Sequence, residues 1–337
     1  MKKIVVSGGS GFVATWVIAE FLNQHYAVAA SLRSLAKADA IKKGLSRYVQ
    51  AEDLANLSFF EADLTSSDGW QAGLKDADGV IHVASPMGNG TESTEELVNI
   101  ATSGVLNVLQ AANDAGVKRV VMTSSLAAAT PKNSATGTFD ESFWTDPENP
   151  ELDPYRISKV KAEKAAWKFA ADHDLDLTTV LPGAIFGPVI TDNLSSNRIL
   201  LQFLKGQAAL PKVPLEISDV RDLANLHRLA FENPKAIGNR YFGASQTLTM
   251  LQVGRIYQAA FPLLRIHARS LPNWATRLLA KFIPSLRTLV PMLNRRYHHT
   301  TAAAEQDLGW QQHDPEQTVL DTANRLIAMK LVEKQKN

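Results

Sequence analysis

Tyr155 and Lys159, four residues apart in Tyr155-Arg156-Ile157-Ser158-Lys159, are a pair that can move a proton. On a helix they share one face. A phenol titrates at about 10, too high for fast exchange at neutral pH, and a neighbouring ammonium favours the phenolate. Tyr155 can then donate to a carbonyl oxygen as a hydride reaches the carbon, or withdraw that proton in reverse. Ser125 can hydrogen-bond and orient the same oxygen. Ser124 is the alternative, because sequence does not settle the register of the pair. A Tyr with a Lys four positions on also arises by chance as a core tyrosine and a surface lysine. The pair gains weight from a second motif, Ser7-Gly8-Gly9-Ser10-Gly11-Phe12-Val13-Ala14.

That motif follows an apolar run and opens a helical pattern, the context a phosphate-binding turn requires. Gly8 stands at a sharp turn where a side chain would obstruct, Gly11 lets backbone approach a diphosphate, and Ala14 permits close packing of helix on sheet. Ser10, Phe12 and Val13 belong to the loop and first helical turn, whose N–H groups and dipole receive phosphate. The end of the second strand selects the dinucleotide. A carboxylate there suits NAD, an Arg suits the extra phosphate of NADP. Arg33 occupies the position, no acid follows until Asp39, and Lys37 adds charge. NADPH is therefore expected in preference to NADH. Asp63 and Leu64 close the third strand, where Asp63 can meet the adenine edge or cap a helix. Val83, Ala84 and Ser85 close the fourth, leaving room for a ribose or nicotinamide. His82 inside that strand is read as structural.

The elements that must position these groups alternate. Strands are expected at Ile4–Val6, Ala27–Leu32, Leu57–Phe60, Gly79–Val83, Arg119–Thr123 and Leu177–Leu181. Helices are expected at Phe12–Gln24, Leu35–Val49, Trp70–Leu74, Glu95–Ala115 and Pro154–His173, with Pro154 in a favourable first turn. Such alternation specifies an α/β fold, a doubly wound parallel sheet of the Rossmann type. Prolines punctuate shorter elements after Pro182, as expected of a smaller C-terminal substrate lobe. The division expected is residues 1–188 with 213–243 returning as the NADP-binding domain, and 189–212 with 244–330 as the substrate lobe.

The chain has 337 residues, a net charge of +1, 45% hydrophobic residues and no cysteine. That is ample for a large core. It argues against nucleic acid as a partner and excludes disulfides and thiolate chemistry. A cytoplasmic location is expected. No stretch approaches the ~18 apolar residues of a membrane span, and no membrane partner is expected. Trp274–Arg296, apolar and basic through Arg277, Lys281, Arg287, Arg295 and Arg296, is read as a helical cover of the substrate lobe with solvated charges, broken at Pro284, over a membrane-surface helix. His298 and His299 face apart with no carboxylate cluster beside them, so no metal is expected. Glu333–Asn337 is read as a frayed tail.

These motifs, in this order, resemble the extended short-chain dehydrogenase/reductases, and most of all the NADPH-dependent carbonyl reductases around dihydroflavonol reductase and cinnamoyl-CoA reductase. The resemblance covers nearly the whole chain. It includes Val80–Met87, Val121–Ser125, Lys164–Lys168, Leu181–Pro188, Val220–Ala224 and Asp307–Trp310. It implies hydride transfer to an aldehyde or ketone, with Pro182, Gly183 and neighbours such as Ile185 lining the nicotinamide pocket. Ser7 stands where Thr is usual. Leu126-Ala127-Ala128-Ala129 replaces a stretch that reads flavonoid hydroxyls, which favours a plainer, more apolar or aromatic carbonyl substrate. The expected substrate walls are Met87 with Pro86 and Gly88, Leu126 with Ala127, Phe186, and part of Asn193–Leu204, with Tyr155 touching the substrate. Gly88-Asn89-Gly90 would let the first of these move. A homodimer is compatible with this reading. Two other readings share the scaffold. A nucleotide-sugar epimerase/dehydratase or hydroxysteroid-type dehydrogenase is disfavoured by Arg33 and the apolar 126–129 stretch. A non-catalytic NADP sensor need not keep Tyr155, Lys159 and Ser125 together.

Overall fold

A computed structural model describes residues 1–85, 92–206, 209–244, 246–283, 286, 289–293 and 295–332. Expectations for Pro86, Met87, Gly88, Asn89, Gly90, Pro284, Arg287 and the 333–337 tail lie outside the described residues.

Seven strands form the main sheet: β1 (Lys3–Val6), β2 (Ala27–Leu32), β3 (Leu57–Glu61), β4 (Gly79–His82), β5 (Arg119–Thr123), β7 (Asp176–Leu181) and β11 (Arg240–Phe242). Their order is β11-β7-β5-β4-β1-β2-β3, with every pair parallel. This is the doubly wound sheet expected. Its strands read as continuous apolar runs because helices cover both faces. On one face α1 (Phe12–Asn23) and α8 (Val220–Glu232) bury Ile18, Phe21, Leu22 and Leu226. On the other, α4 (Trp70–Leu74), α5 (Thr94–Asp114) and α6 (Pro154–His173) bury Trp70, Val108, Leu109 and Ala166. Strand order reverses between β1 and β4, and Val6 is in register with both Ala30 and Ile81, so three strand ends meet there. A crevice at such a switch point is where ligands bind open α/β sheets.

Helix starts are chemically marked. Ser93 and Glu96 form a reciprocal capping box on α5. Asp153 accepts from the Arg156 N–H at 2.8 Å, and Pro154 follows as the first residue of α6. The cap fixes where α6 begins, and hence which face carries Tyr155 and Lys159.

A second apolar cluster collects Phe203, Leu210, Ile217, Val253 and Tyr257, with Val319 and Leu326 from the helix Pro315–Ala328. The structure moves the expected division in two places. β10 (Pro214–Asp219), in the stretch 213–243 grouped with the NADP-binding domain, pairs with β8 (Ala184–Phe186) and β12 (Thr247–Thr249). Its Leu215 and Ile217 join the second cluster. Conversely Ala304, Leu308 and Trp310, expected in the smaller lobe, pack into the core of the main sheet. The Trp310 indole donates to the Asp222 carbonyl at 2.7 Å. The helix α10 (Asn273–Leu279) opens the stretch expected to cover the substrate lobe. It buries Thr276, with Ala280 buried just past its end, and turns Trp274 and Leu278 outward.

Candidate functional site

The crevice is a cleft of about 940 Å³ at the ends of the main-sheet strands. One wall is the β1–α1 loop. Gly8 has φ +69, and a Cβ there would lie 2.8 Å from the Ala84 Cβ. Only glycine fits that conformation and that gap without strain. The Gly8 N–H donates to the Ser31 hydroxyl at 2.9 Å, and the Gly11 N–H to the Gly8 carbonyl at 2.8 Å. Gly11 is the cap residue of α1 and offers no side chain to its first N–H groups. That leaves a positive helix end facing the cleft, which fits a diphosphate. Gly8, Ser10, Gly11, Phe12 and Val13 all line the cleft.

Arg33, exposed at the end of β2, lines the cleft together with Asp63 and Leu64 at the end of β3. The Thr65 amide and hydroxyl, both 2.8 Å from one Asp63 oxygen, hold this carboxyl below its ordinary range, and Arg33 adds to the effect. Asp63 thus closes a local turn, while Gly69 caps α4. Lys37, the expected companion of Arg33, is exposed on the turn after it and is not among the cleft residues.

Val83, Ala84 and Ser85 form the next wall. Ser7, the departure from the usual Thr, organises it. Its hydroxyl accepts from the Val83 and Ala84 amides, each at 2.9 Å, and donates to His82 Nδ1 at 2.8 Å. Burial foremost, and Lys159 next, push His82 down to about 3, so it is neutral at physiological pH. Ser7 engages Nδ1, while Nε2 is buried without a hydrogen-bond partner.

Tyr155, 39% exposed, and Lys159, 8% exposed, come from α6. The Lys159 ammonium lies 5.5 Å from the Tyr155 ring centroid and donates to the Ser85 hydroxyl at 2.6 Å. Ser124 and Ser125, past the end of β5, differ in what they can do. The Ser124 hydroxyl donates to Glu163 at 2.6 Å. The Ser125 hydroxyl accepts from the Ala127 N–H at 3.2 Å and stays partly exposed on the cleft. Pro182, Gly183 and Ile185 complete that end.

Two expected substrate walls are corrected. Phe186 is 1% exposed and packs in the second apolar cluster. Side chains alternate along a strand, so on β8 it is Ile185 that meets the cleft. Leu126 is buried against Val160, Leu181 and Phe242. Met87 lies outside the described residues. Asn193, in the range expected to supply a wall, lines the cleft with Ser195 and Arg198, and its amide donates to the Ser10 carbonyl at 3.0 Å.

Sequence reading missed Glu163. Its carboxylate accepts from Ser124, from the Thr179 hydroxyl at 2.8 Å and from Arg240 Nε at 2.9 Å. The Arg240 guanidinium also donates to the Glu141 and Phe143 carbonyls and lies 3.7 Å from the Trp144 ring centroid. This buried node ties α6 to the ends of β5, β7 and β11. The spacing of four from Tyr155 to Lys159 to Glu163 is the signal that could have shown it.

Asp219, Asp222 and His313 approach one another closely. Their atoms are engaged internally, Asp219 with Arg221 and Thr318, and Asp222 with His313. His298 and His299 do face apart on β14 (Arg296–His299), the first on Thr138 and the second on Glu216.

A doubly wound parallel sheet, with a glycine turn and an uncapped helix at its switch point, is the architecture of dinucleotide-binding proteins. The chain belongs to the NAD dependent epimerase/dehydratase family, whose profile matches residues 4–242. It is 33% identical over 286 residues to an anthocyanidin reductase of Vitis vinifera, covering 79% of this chain and 82% of the relative. It is likewise 33% identical over 267 residues to cinnamoyl-CoA reductase 1 of Oryza sativa subsp. japonica, covering 77% and 76%. Among solved structures it resembles Candida albicans Gre2 in complex with NADPH, with a TM-score of 0.81 and 28% identity over 97% of this chain and 99% of that one. The yeast methylglyoxal/isovaleraldehyde reductase Gre2, complexed with NADPH, gives a TM-score of 0.80 and 26% identity over 97% and 99%. No described helix is long and apolar enough to cross a membrane.

Proposed function

We propose that this protein reduces an aldehyde or ketone to the alcohol, with NADPH as cofactor. NADPH, when bound, supplies the hydride. The reading is carried by one observation: Tyr155, Lys159 and Ser125 line the same cleft as the glycine turn and Arg33. Gly8, Gly11 and the first turn of α1 bind the diphosphate. Arg33 pairs with the ribose phosphate as a planar fork, whereas a carboxylate at this position would repel that phosphate. Val83, Ala84 and Ser85 make room for the ribose, and Pro182, Gly183 and Ile185 flank the nicotinamide.

Ser125 donates to the carbonyl oxygen and orients it, because Ser124 is held by Glu163. Tyr155 delivers its proton to that oxygen. Lys159 favours the phenolate left behind and holds ribose hydroxyls, a contact for which it would exchange Ser85. The second apolar cluster supplies the substrate lobe, with Asn193, Ser195 and Arg198 on the cleft between.

The test is oxidation of NADPH and of NADH by purified protein against aryl aldehydes, aryl ketones, diketones and keto esters. Turnover with NADPH and much less with NADH is expected. Tyr155→Phe should abolish turnover and keep NADPH binding. Full activity in that variant would overturn the assignment. Cofactor binding without turnover on any carbonyl would move the reading to a sugar-nucleotide enzyme or a sensor.

A further inference from the structure

The outward face of α10 is built the wrong way round for a helix that ends at water. Its buried positions are Thr276, at 0% exposure, and Ala280, at 6%. Its outward positions are Trp274, at 71%, and Leu278, at 49%. Past Leu279 the chain continues as a hydrogen-bonded turn, with the Phe282 N–H donating to the Leu279 carbonyl at 2.9 Å and the Ile283 N–H to the same carbonyl at 2.8 Å. This places Phe282, 76% exposed, one further turn along, on the same stripe as Trp274 and Leu278. Large apolar side chains grouped on one exposed face mark a surface that something else covers.

Charge says what that is. Between Glu232 and Glu305 the chain has ten Lys or Arg residues and no Asp or Glu, whereas the remainder carries 25 basic residues against 34 acidic ones. Arg240 and Arg295 are consumed by Glu163 and Glu216. Arg277, within α10, and Arg269, in the strand Arg269–Leu271 that precedes it, are exposed. We propose that this face docks on an anionic lipid bilayer, with Trp274, Leu278 and Phe282 entering the interface and the cations meeting lipid headgroups.

Trp, Phe and Leu on one side with Arg and Lys beside them is the composition that seats a helix in a headgroup layer. Attraction of basic residues to an anionic leaflet adds to the apolar burial. A second copy fits less well. A twofold contact sets the same patch against itself, so two basic faces would meet with no Asp or Glu from residues 233–304 to offset them. With no described helix able to span a bilayer, the attachment is peripheral.

The experiment is flotation of the full chain with vesicles of phosphatidylcholine alone, and with about a quarter phosphatidylserine, at low and high salt. Wild type should float with the phosphatidylserine vesicles, about tenfold less with the neutral ones, and be released by high salt. The double variant Trp274→Asp/Phe282→Asp should lose flotation about tenfold while unfolding at the wild-type temperature. No flotation of wild type, or equal flotation of the variant, overturns the proposal. So does a wild-type dimer that the variant converts to monomer with no vesicle binding by either, which would assign the face to a second copy.

Discussion

Glu163→Ala should be among the most damaging single substitutions outside the cleft, although residue 163 touches neither proposed substrate nor cofactor. Glu163 is 1% exposed and Arg240 8% exposed. Removing the carboxylate strands a buried guanidinium, which costs about 3–5 kcal/mol. The Ser124 and Thr179 hydroxyls lose their acceptor as well, about 1 kcal/mol each where no water enters. The Glu141 and Phe143 carbonyls and the Trp144 ring remain with Arg240, so the total should stay near the lower part of that sum. Against the 5–15 kcal/mol that stabilises a typical domain, this is severe. Urea unfolding of wild type, Glu163→Ala, Arg240→Met and Glu163→Met/Arg240→Met measures it. The double variant leaves no orphaned charge, so it should lose less than the two single losses added together. A loss below about 1 kcal/mol in Glu163→Ala, or strict additivity in the double variant, would show that the pair is solvated and that the node does not hold α6.

Three other outcomes follow from the same contacts. Arg33→Ser should lower kcat/KM with NADPH by about ten- to a hundredfold, the worth of a charge-assisted hydrogen bond to phosphate, and leave NADH nearly untouched; equal losses with both cofactors would refute the role of Arg33. Burial pushes His82 down to about 3 and His227 to about 4. Below about 6.5 the unfolded chain therefore binds protons that the native state refuses, and stability falls as pH falls, by about 2 kcal/mol per histidine at pH 5. Urea midpoints at pH 7 and 5 read this, and His227→Gln should remove one share of the drop; an unchanged drop would refute the assignment. Gly183→Ala would place a Cβ 2.3 Å from the Glu216 carbonyl oxygen. It should cost about 1–3 kcal/mol through forced backbone movement and weaken NADPH binding in a fluorescence titration; wild-type stability would mean that β8 and β10 can separate there without strain.

The local pattern of residues decided a good deal by itself. Alternating apolar strands and 3.6-period helices have one economical packing, so the parallel sheet and the glycine turn at its switch point were legible from the chain. The strand ends, the glycine loop and the starts of α1 and α6 line one cleft because strand ends in such a sheet converge there. What lay beyond sequence depends on contacts between distant segments. Phe186 and Ile185 are neighbours in a strand of three residues, and only the pairing of β8 with β10 decides which one faces the cleft. Ser124 and Ser125 are chemically identical, and Glu163, 39 positions on, distinguishes them. Nothing local marks Arg240 as buried; the fold brings Glu163 and Trp144 around it. In the same way the stretch Trp274–Arg296 reads as a helical cover, because apolar periodicity shows which side chains share a face but not whether that face meets protein. That decision belongs to the tertiary structure, which spends the buried side of α10 on Thr276 and Ala280.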